Sequence, residues 1–194
     1  MMKFEYAPGA TPLDLDEANG LIPLQISTQA ELNEWEAANI VKAENWLLTI
    51  NPRDFLTLDF LKRLHEKMFD DTWTWAGQFR LSGRNIGVFW YEIAAGLLNL
   101  LEDVRCQIIN NSFYFDEIAY RFHHRLVSIH PFPNGNGRHS RLMTDFLLIQ
   151  AGQPRFTWSN QKLEKEGPMR TRYIEALRAA DKGNYLKLAE FVRS

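Results

Sequence analysis

Two prolines and two glycines fall between Pro131 and Gly137, and on both sides of them apolar residues recur at helical spacing. Upstream the positions are Ile118, Phe122, Leu126 and Ile129; downstream they are Leu142, Phe146 and Ile149. A period near 3.6 marks an amphipathic helix. Proline has no backbone N–H and restricts the residue before it, so Pro131 and Pro133 end the first helix. Gly135 and Gly137 let the backbone take positive φ and approach a ligand closely. The sequence therefore predicts a helix over 117–129 capped by Asp116, a tight loop, and a second helix over 137–150.

The same reading extends along the chain. Ser27 or Thr28, with Glu31, starts a helix over 29–48 that turns Leu32, Trp35, Ala43, Trp46 and Leu47 inward. Thr57 caps the next, over 58–69, with Phe60, Leu61, Leu64 and Met68 buried and His65 in a structural setting. Trp73, Trp75 and Phe79 read as packing anchors. Two short β-prone pieces, 78–81 and 85–89, flank Ser82-Gly83-Arg84 and predict a hairpin. Further helices are expected over 91–109, 169–180 and 185–192. The fold class is all-α with one small β-hairpin. Residues 1–28, broken by Pro8, Gly9, Pro12, Gly20 and Pro23, form an extended arm, and residues 29–194 form the helical domain.

Composition narrows the function. With 45% hydrophobic and 13% aromatic residues, the 194-residue chain has the material for a packed core. A net charge of −2 supplies no basic field for nucleic acid. No stretch approaches the ~20 apolar residues of a membrane helix. A single cysteine, Cys106, and no apolar leader-type run near Met1 lead to the expectation of a cytoplasmic protein.

The chemistry is concentrated in the loop between the two helices. The N–H groups at a helix start, backed by the helix dipole, form an anion site. Arg138 and Arg141, three residues apart, share a helix face beside it. His130, just ahead of the loop, is the nearby side chain whose ordinary pKa suits proton transfer. Taken singly, each feature is also what a plain helix corner with a buried His and two surface Arg would show. Together they suggest phosphoryl or nucleotidyl transfer.

This stretch resembles the signature of the Fic (Fic/Doc) family, His-x-Phe-x-Asp/Glu-Gly-Asn-Gly-Arg-x-x-Arg. The matching residues are His130, Phe132, Gly135, Asn136, Gly137, Arg138 and Arg141. Asn134 departs from the acidic residue usual there. Leu64-His65 through Phe69 and Trp73-Thr-Trp-Ala-Gly-Gln-Phe-Arg80 are similar to the family's first core helix and its following WAG-x-x-R segment. Residues 172–185 are similar to its closing helices, and the chain as a whole most resembles the branch called mobile mystery protein B.

The resemblance implies a protein AMP-transferase that uses ATP with Mg²⁺ and modifies a Ser, Thr or Tyr of a target protein. It implies His130 as the base, and Asn134, Gly135, Asn136, Gly137, Arg138 and Arg141 as the nucleotide- and phosphate-binding set. Asn134 is also the one candidate metal ligand. The hairpin residues Arg84, Asn85, Ile86 and Gly87 fall where the family has a target-docking flap. Two alternatives stay open: a degenerate domain that binds nucleotide or a partner without turnover, and a related phosphotransferase. The family's inhibitory pattern, Ser/Thr-x-x-x-Glu-Gly/Asn, has no intact copy around Glu31, Glu44 or Glu166, so an antitoxin-like inhibitor acting in trans is expected.

Overall fold

The computed structural model describes residues 13–160, 163 and 167–194. The first twelve residues of the expected arm, and Glu166, lie outside the described residues. A short α1 (Leu15–Ala18) precedes α2 (Gln29–Thr49) and α3 (Leu58–Phe69). After an irregular segment come α4 (Ile93–Ile109), α5 (Phe115–Ile129) and α6 (Asn136–Gln150), then α7 (Pro168–Ala180) and α8 (Leu186–Arg193).

Local chemistry explains most boundaries. Thr28 and Glu31 form a reciprocal capping box: the Thr28 hydroxyl accepts from Glu31 N, and the Glu31 carboxylate accepts from Thr28 N. Such a cap contributes about 1 kcal/mol. Thr57 accepts from Phe60 N in the same way. The expected Asp116 cap does not form, because α5 begins at Phe115, two residues before the expected start, and Asp116 instead takes both Nε and Nη2 of Arg193 on α8. That pair ties the start of α5 to the end of the described chain.

Helix α6 is the centre of the bundle. Its buried residues run from Asn136 through Ser140, Met143 and Phe146 to Leu148 and leave little of its circumference facing water. It packs on α5 and α3, while α2 backs α3, α4 backs α5, and α7 pairs with α8. Ile149, expected inward, is 40% exposed, because the α6 stripe rotates onto Met143, Leu147 and Leu148 instead. Trp35 is displaced likewise. It is 40% exposed with its indole N–H on Asp71 O, and the inward position on α2 belongs to Glu36.

Among the described residues no strand forms beyond one antiparallel bridge, Leu21 with Trp73. The hairpin expected over 78–89 is an irregular loop. Its would-be ladder partners are engaged elsewhere. Arg80 is 1% exposed and inserts its guanidinium between the two arms, donating to Ser82 O (2.8 Å) and Val88 O (2.5 Å). Arg80 N and Val88 N donate to Pro131 O and Ile129 O. The arm residues from 13 to 27 lie along the Trp73–Trp75 segment, with Ile22 N donating to Thr72 O and Thr74 N to Gly20 O. No described helix is long and apolar enough to cross a membrane.

Candidate active site

His130 is the residue at which α5 stops. Its own N–H still donates to Leu126 O, yet its backbone is left-handed, at φ 55° and ψ 61°. Pro131 explains the stop, since a residue before proline is pushed out of the right-handed helical region. A left-handed cap is ordinarily glycine or asparagine, so a histidine there needs its surroundings to hold it. Arg80 Nε donates to His130 O at 2.7 Å, capping the last carbonyls of α5 with a cation where the helix dipole favours one. The 78–88 loop closes the other side. At Gly87 (φ +96°) a Cβ would meet His130 Cβ at 2.7 Å and Arg80 Nη2 at 2.8 Å, so only glycine fits.

His130 is buried, 7% exposed as a residue. Burial, reinforced by the Arg80 and Arg84 guanidiniums, pushes its pKa down to about 4. His130 is therefore neutral through the physiological range and able to accept a proton.

The loop after it is braced from within. Phe132 is fully buried and stacks on the His65 ring at 3.7 Å. Gly77 N donates to His65 Nδ1, which leaves Nε2 protonated and donating to Asn134 O. His65 is thus a scaffold between α3, the Gly77 turn and the loop, held neutral by burial with its pKa well below the ordinary value. Asn136 brackets Phe132: its Oδ1 accepts from Phe132 N at 2.9 Å and its Nδ2 donates to Phe132 O at 2.8 Å. Its amide is thereby committed to the loop, and its backbone N–H is what it offers at the helix start. Asn134 Oδ1 accepts from Gly135 N at 2.6 Å.

Gly135 is the N-cap of α6, at φ +75°, and a Cβ there would lie 2.4 Å from Phe69 Cζ. The first intrahelical bond of α6 is His139 N to Gly135 O. The N–H groups of Asn136, Gly137 and Arg138 therefore lead the helix as an anion cradle.

The two arginines diverge. Arg138 reaches back to α2, where its Nη1 donates to Glu36 Oε2 at 2.6 Å, and its guanidinium lies 4.9 Å from the Phe69 ring centroid. Arg141 sits 5.8 Å from the Tyr173 ring of α7, whose hydroxyl pairs with His123 Nε2. In the 78–88 loop, Asn85 and Ile86 are exposed beside Gly87, but the Arg84 side chain is 7% exposed and pairs with Glu17 and Asp14 of the arm. Sequence reasoning missed Glu36. Its signal was its register, since Leu32, Glu36, Asn39, Ala43 and Leu47 form one buried stripe on α2.

Among the described residues no three His, Cys, Asp or Glu side chains converge as a metal site. The loop offers a cation only the neutral Asn134 oxygen, already facing Gly135 N. These residues do not by themselves fit a protein-held divalent ion.

Known proteins bear on this geometry. Residues 55–148 match the Fic/DOC family. A protein adenylyltransferase Fic from Aedes aegypti is 30% identical over 148 residues, covering 74% of this chain and 28% of the relative. A protein of the same name from Drosophila mojavensis is 35% identical over 83 residues, 43% of this chain and 15% of that one. The chain thus spans under a third of the length of these curated relatives. Among solved structures, the BepC protein of Bartonella tribocorum with bound AMPPNP superposes with a TM-score of 0.71 at 21% identity, over 93% of this chain and 97% of that one. An N-terminal Fic domain from Bartonella quintana with bound ADP gives 0.71 at 18% identity, over 91% and 94%. With that family match running from just before α3 through most of α6 and taking in the signature loop, the chain carries a Fic/DOC family domain.

Proposed function

We propose that the chain is a protein adenylyltransferase that moves AMP from ATP to a hydroxyl side chain of another protein. The observation that carries this reading is a neutral His130 locked in place immediately before a three-amide cradle at the start of α6. The names of the relatives, and the nucleotides bound to the similar structures, agree with it. In the reaction the acceptor oxygen forms a bond to the α-phosphorus, and the bond from that phosphorus to the bridging β-phosphate oxygen breaks. Pyrophosphate leaves, and the hydroxyl proton passes to His130. The amides of Asn136, Gly137 and Arg138 hold phosphate oxygens, with Arg138 and Arg141 neutralising the departing charge. Gly135 gives the cradle its turn.

Mg²⁺ would accompany the nucleotide and neutralise phosphate charge, with Asn134 as its one side-chain neighbour in the loop. The exposed backbone at Asn85, Ile86 and Gly87 would register an extended segment of the target by main-chain pairing, with the buried Arg84 tying the loop to the arm. Restraint would come from an antitoxin-like protein in trans. The second reading, nucleotide binding without turnover, draws on Asn134, whose amide closes on its own loop.

The test is His130→Ala. The purified variant is expected to lose AMP transfer while binding ATP within about twofold of the parent chain. Transfer that persists would remove His130 from the base role, and a parent chain that binds ATP without transferring it would favour the second reading.

A further inference from the structure

Glu36 is a carboxylate with no ordinary reason to be inside a helix bundle. It is 4% exposed on the inner face of α2, and both its oxygens are engaged. Oε1 accepts from the Trp73 indole N–H at 2.7 Å, and Oε2 accepts from Arg138 Nη1 at 2.6 Å. A buried charge is tolerated only when paired and hydrogen-bonded, so the three side chains stand or fall as a unit. Its members come from α2, the segment after α3, and the third residue of α6, 102 positions from Glu36.

The other side of the guanidinium is also fixed. Arg138 lies over Phe69, and Phe69 is the ring that leaves Gly135 no room for a Cβ. Trp73 is itself held by stacking on Trp75 at 4.9 Å. An arginine on the surface would sample many rotamers; this one is gripped at its tip by a carboxylate and along its face by a ring. Its side chain nonetheless remains 18% exposed. A guanidinium has five N–H donors, and Glu36 takes one of them, so donors remain for a phosphate.

We propose that Glu36 is a positioning residue: it fixes Arg138 in the one orientation from which it receives the phosphates of the nucleotide. Glu36 itself touches no substrate. The inference rests on the AMP-transfer reading and deepens it. It adds a carboxylate that the loop motif does not contain, supplied by a distant helix.

Glu36→Gln tests it. Glutamine keeps the volume but presents an NH₂ group to one of two donors, so either Arg138 or Trp73 loses its acceptor. ATP dissociation constants are measured by calorimetry, and AMP transfer with labelled ATP, for the parent chain, E36Q, R138A and the double variant. The expected result is a dissociation constant raised about tenfold in E36Q, as for loss of one charge-assisted bond, with the pH profile of transfer unmoved. The double variant is expected to bind no worse than R138A alone, because both changes disable the same group. Equal or tighter binding by E36Q, or full additivity in the double variant, overturns the proposal. Should E36Q not fold, Trp73→Phe removes the Oε1 partner only: a dissociation constant raised a few-fold supports the proposal, and an unchanged one overturns it. A parent chain that neither binds ATP nor transfers AMP is a different failure, that of the enzyme reading itself.

Discussion

His130 combines two features that ordinarily oppose good design, a strained left-handed backbone and a buried ionisable ring. Both serve a base. The strain is held by Arg80 and the Ile129–Pro131 carbonyl bonds, and burial keeps the ring unprotonated. Since its pKa is lowered from 6.5 to about 4, the neutral form persists as pH falls below 6.5 and is lost only near 4. The kcat/KM of AMP transfer should therefore stay level from about pH 8 to about pH 5, then fall tenfold per unit below the pKa. A descending limb centred near 6.5 would place the ring in a more solvated, unperturbed setting. Asn134 is the other residue-scale case. Aspartate would accept the same Gly135 N–H and add a charged oxygen, which Mg²⁺ prefers over a neutral amide. Asn134→Asp should lower the Mg²⁺ concentration giving half-maximal transfer. An unchanged or higher requirement would make Asn134 a loop brace alone.

At the scale of elements, the sequence revealed what is periodic and concealed what depends on long-range polar pairing. The helices α2 to α8 follow from spacing, and the Thr28 and Thr57 caps from residue type, because those signals are local. The 78–89 segment has the propensities of a hairpin, yet the Arg80 guanidinium takes the carbonyls a ladder would need. The hidden partners Ile129, His130 and Pro131 lie some fifty residues away. Glu36 escaped for a related reason, as an acidic residue reads as surface until its partners are known. Helix α2 also carries Glu31 and Glu44, two near-matches to the inhibitory pattern, and Glu31 is spent on the Thr28 capping box while Glu44 is not. Glu44 faces Arg155 at 3.6 Å, and its side chain is 42% exposed. Glu44→Gly is accordingly expected to leave AMP transfer within about twofold of the parent rate, since an exposed pair contributes at most ~1 kcal/mol. A sharp activation would place the restraint in cis and contradict an inhibitor in trans.

For the molecule as a whole, the candidate site is assembled where several elements of the bundle meet. The C-terminus of α5 supplies His130, the N-terminus of α6 the leading amides, α3 and the Gly77 turn the His65 brace, and α2 the carboxylate on Arg138. Of the residues read from the signature, His130, Gly135, Asn136, Gly137 and Arg138 lie at that junction with the Asn136 amide turned into the loop, while Arg141 lies over Tyr173; Arg84, read from the hairpin, pairs with the arm. The activity proposed for this junction moves the AMP moiety of ATP, with its α-phosphorus. It is tested most directly by incubating the purified chain with a cell lysate and ATP labelled at either the α or the γ phosphorus. Protein-bound label is expected from the α position and none from the γ position, and that label is expected to be lost in His130→Ala. Label arriving from the γ position, or none from either while the chain binds ATP, would contradict it.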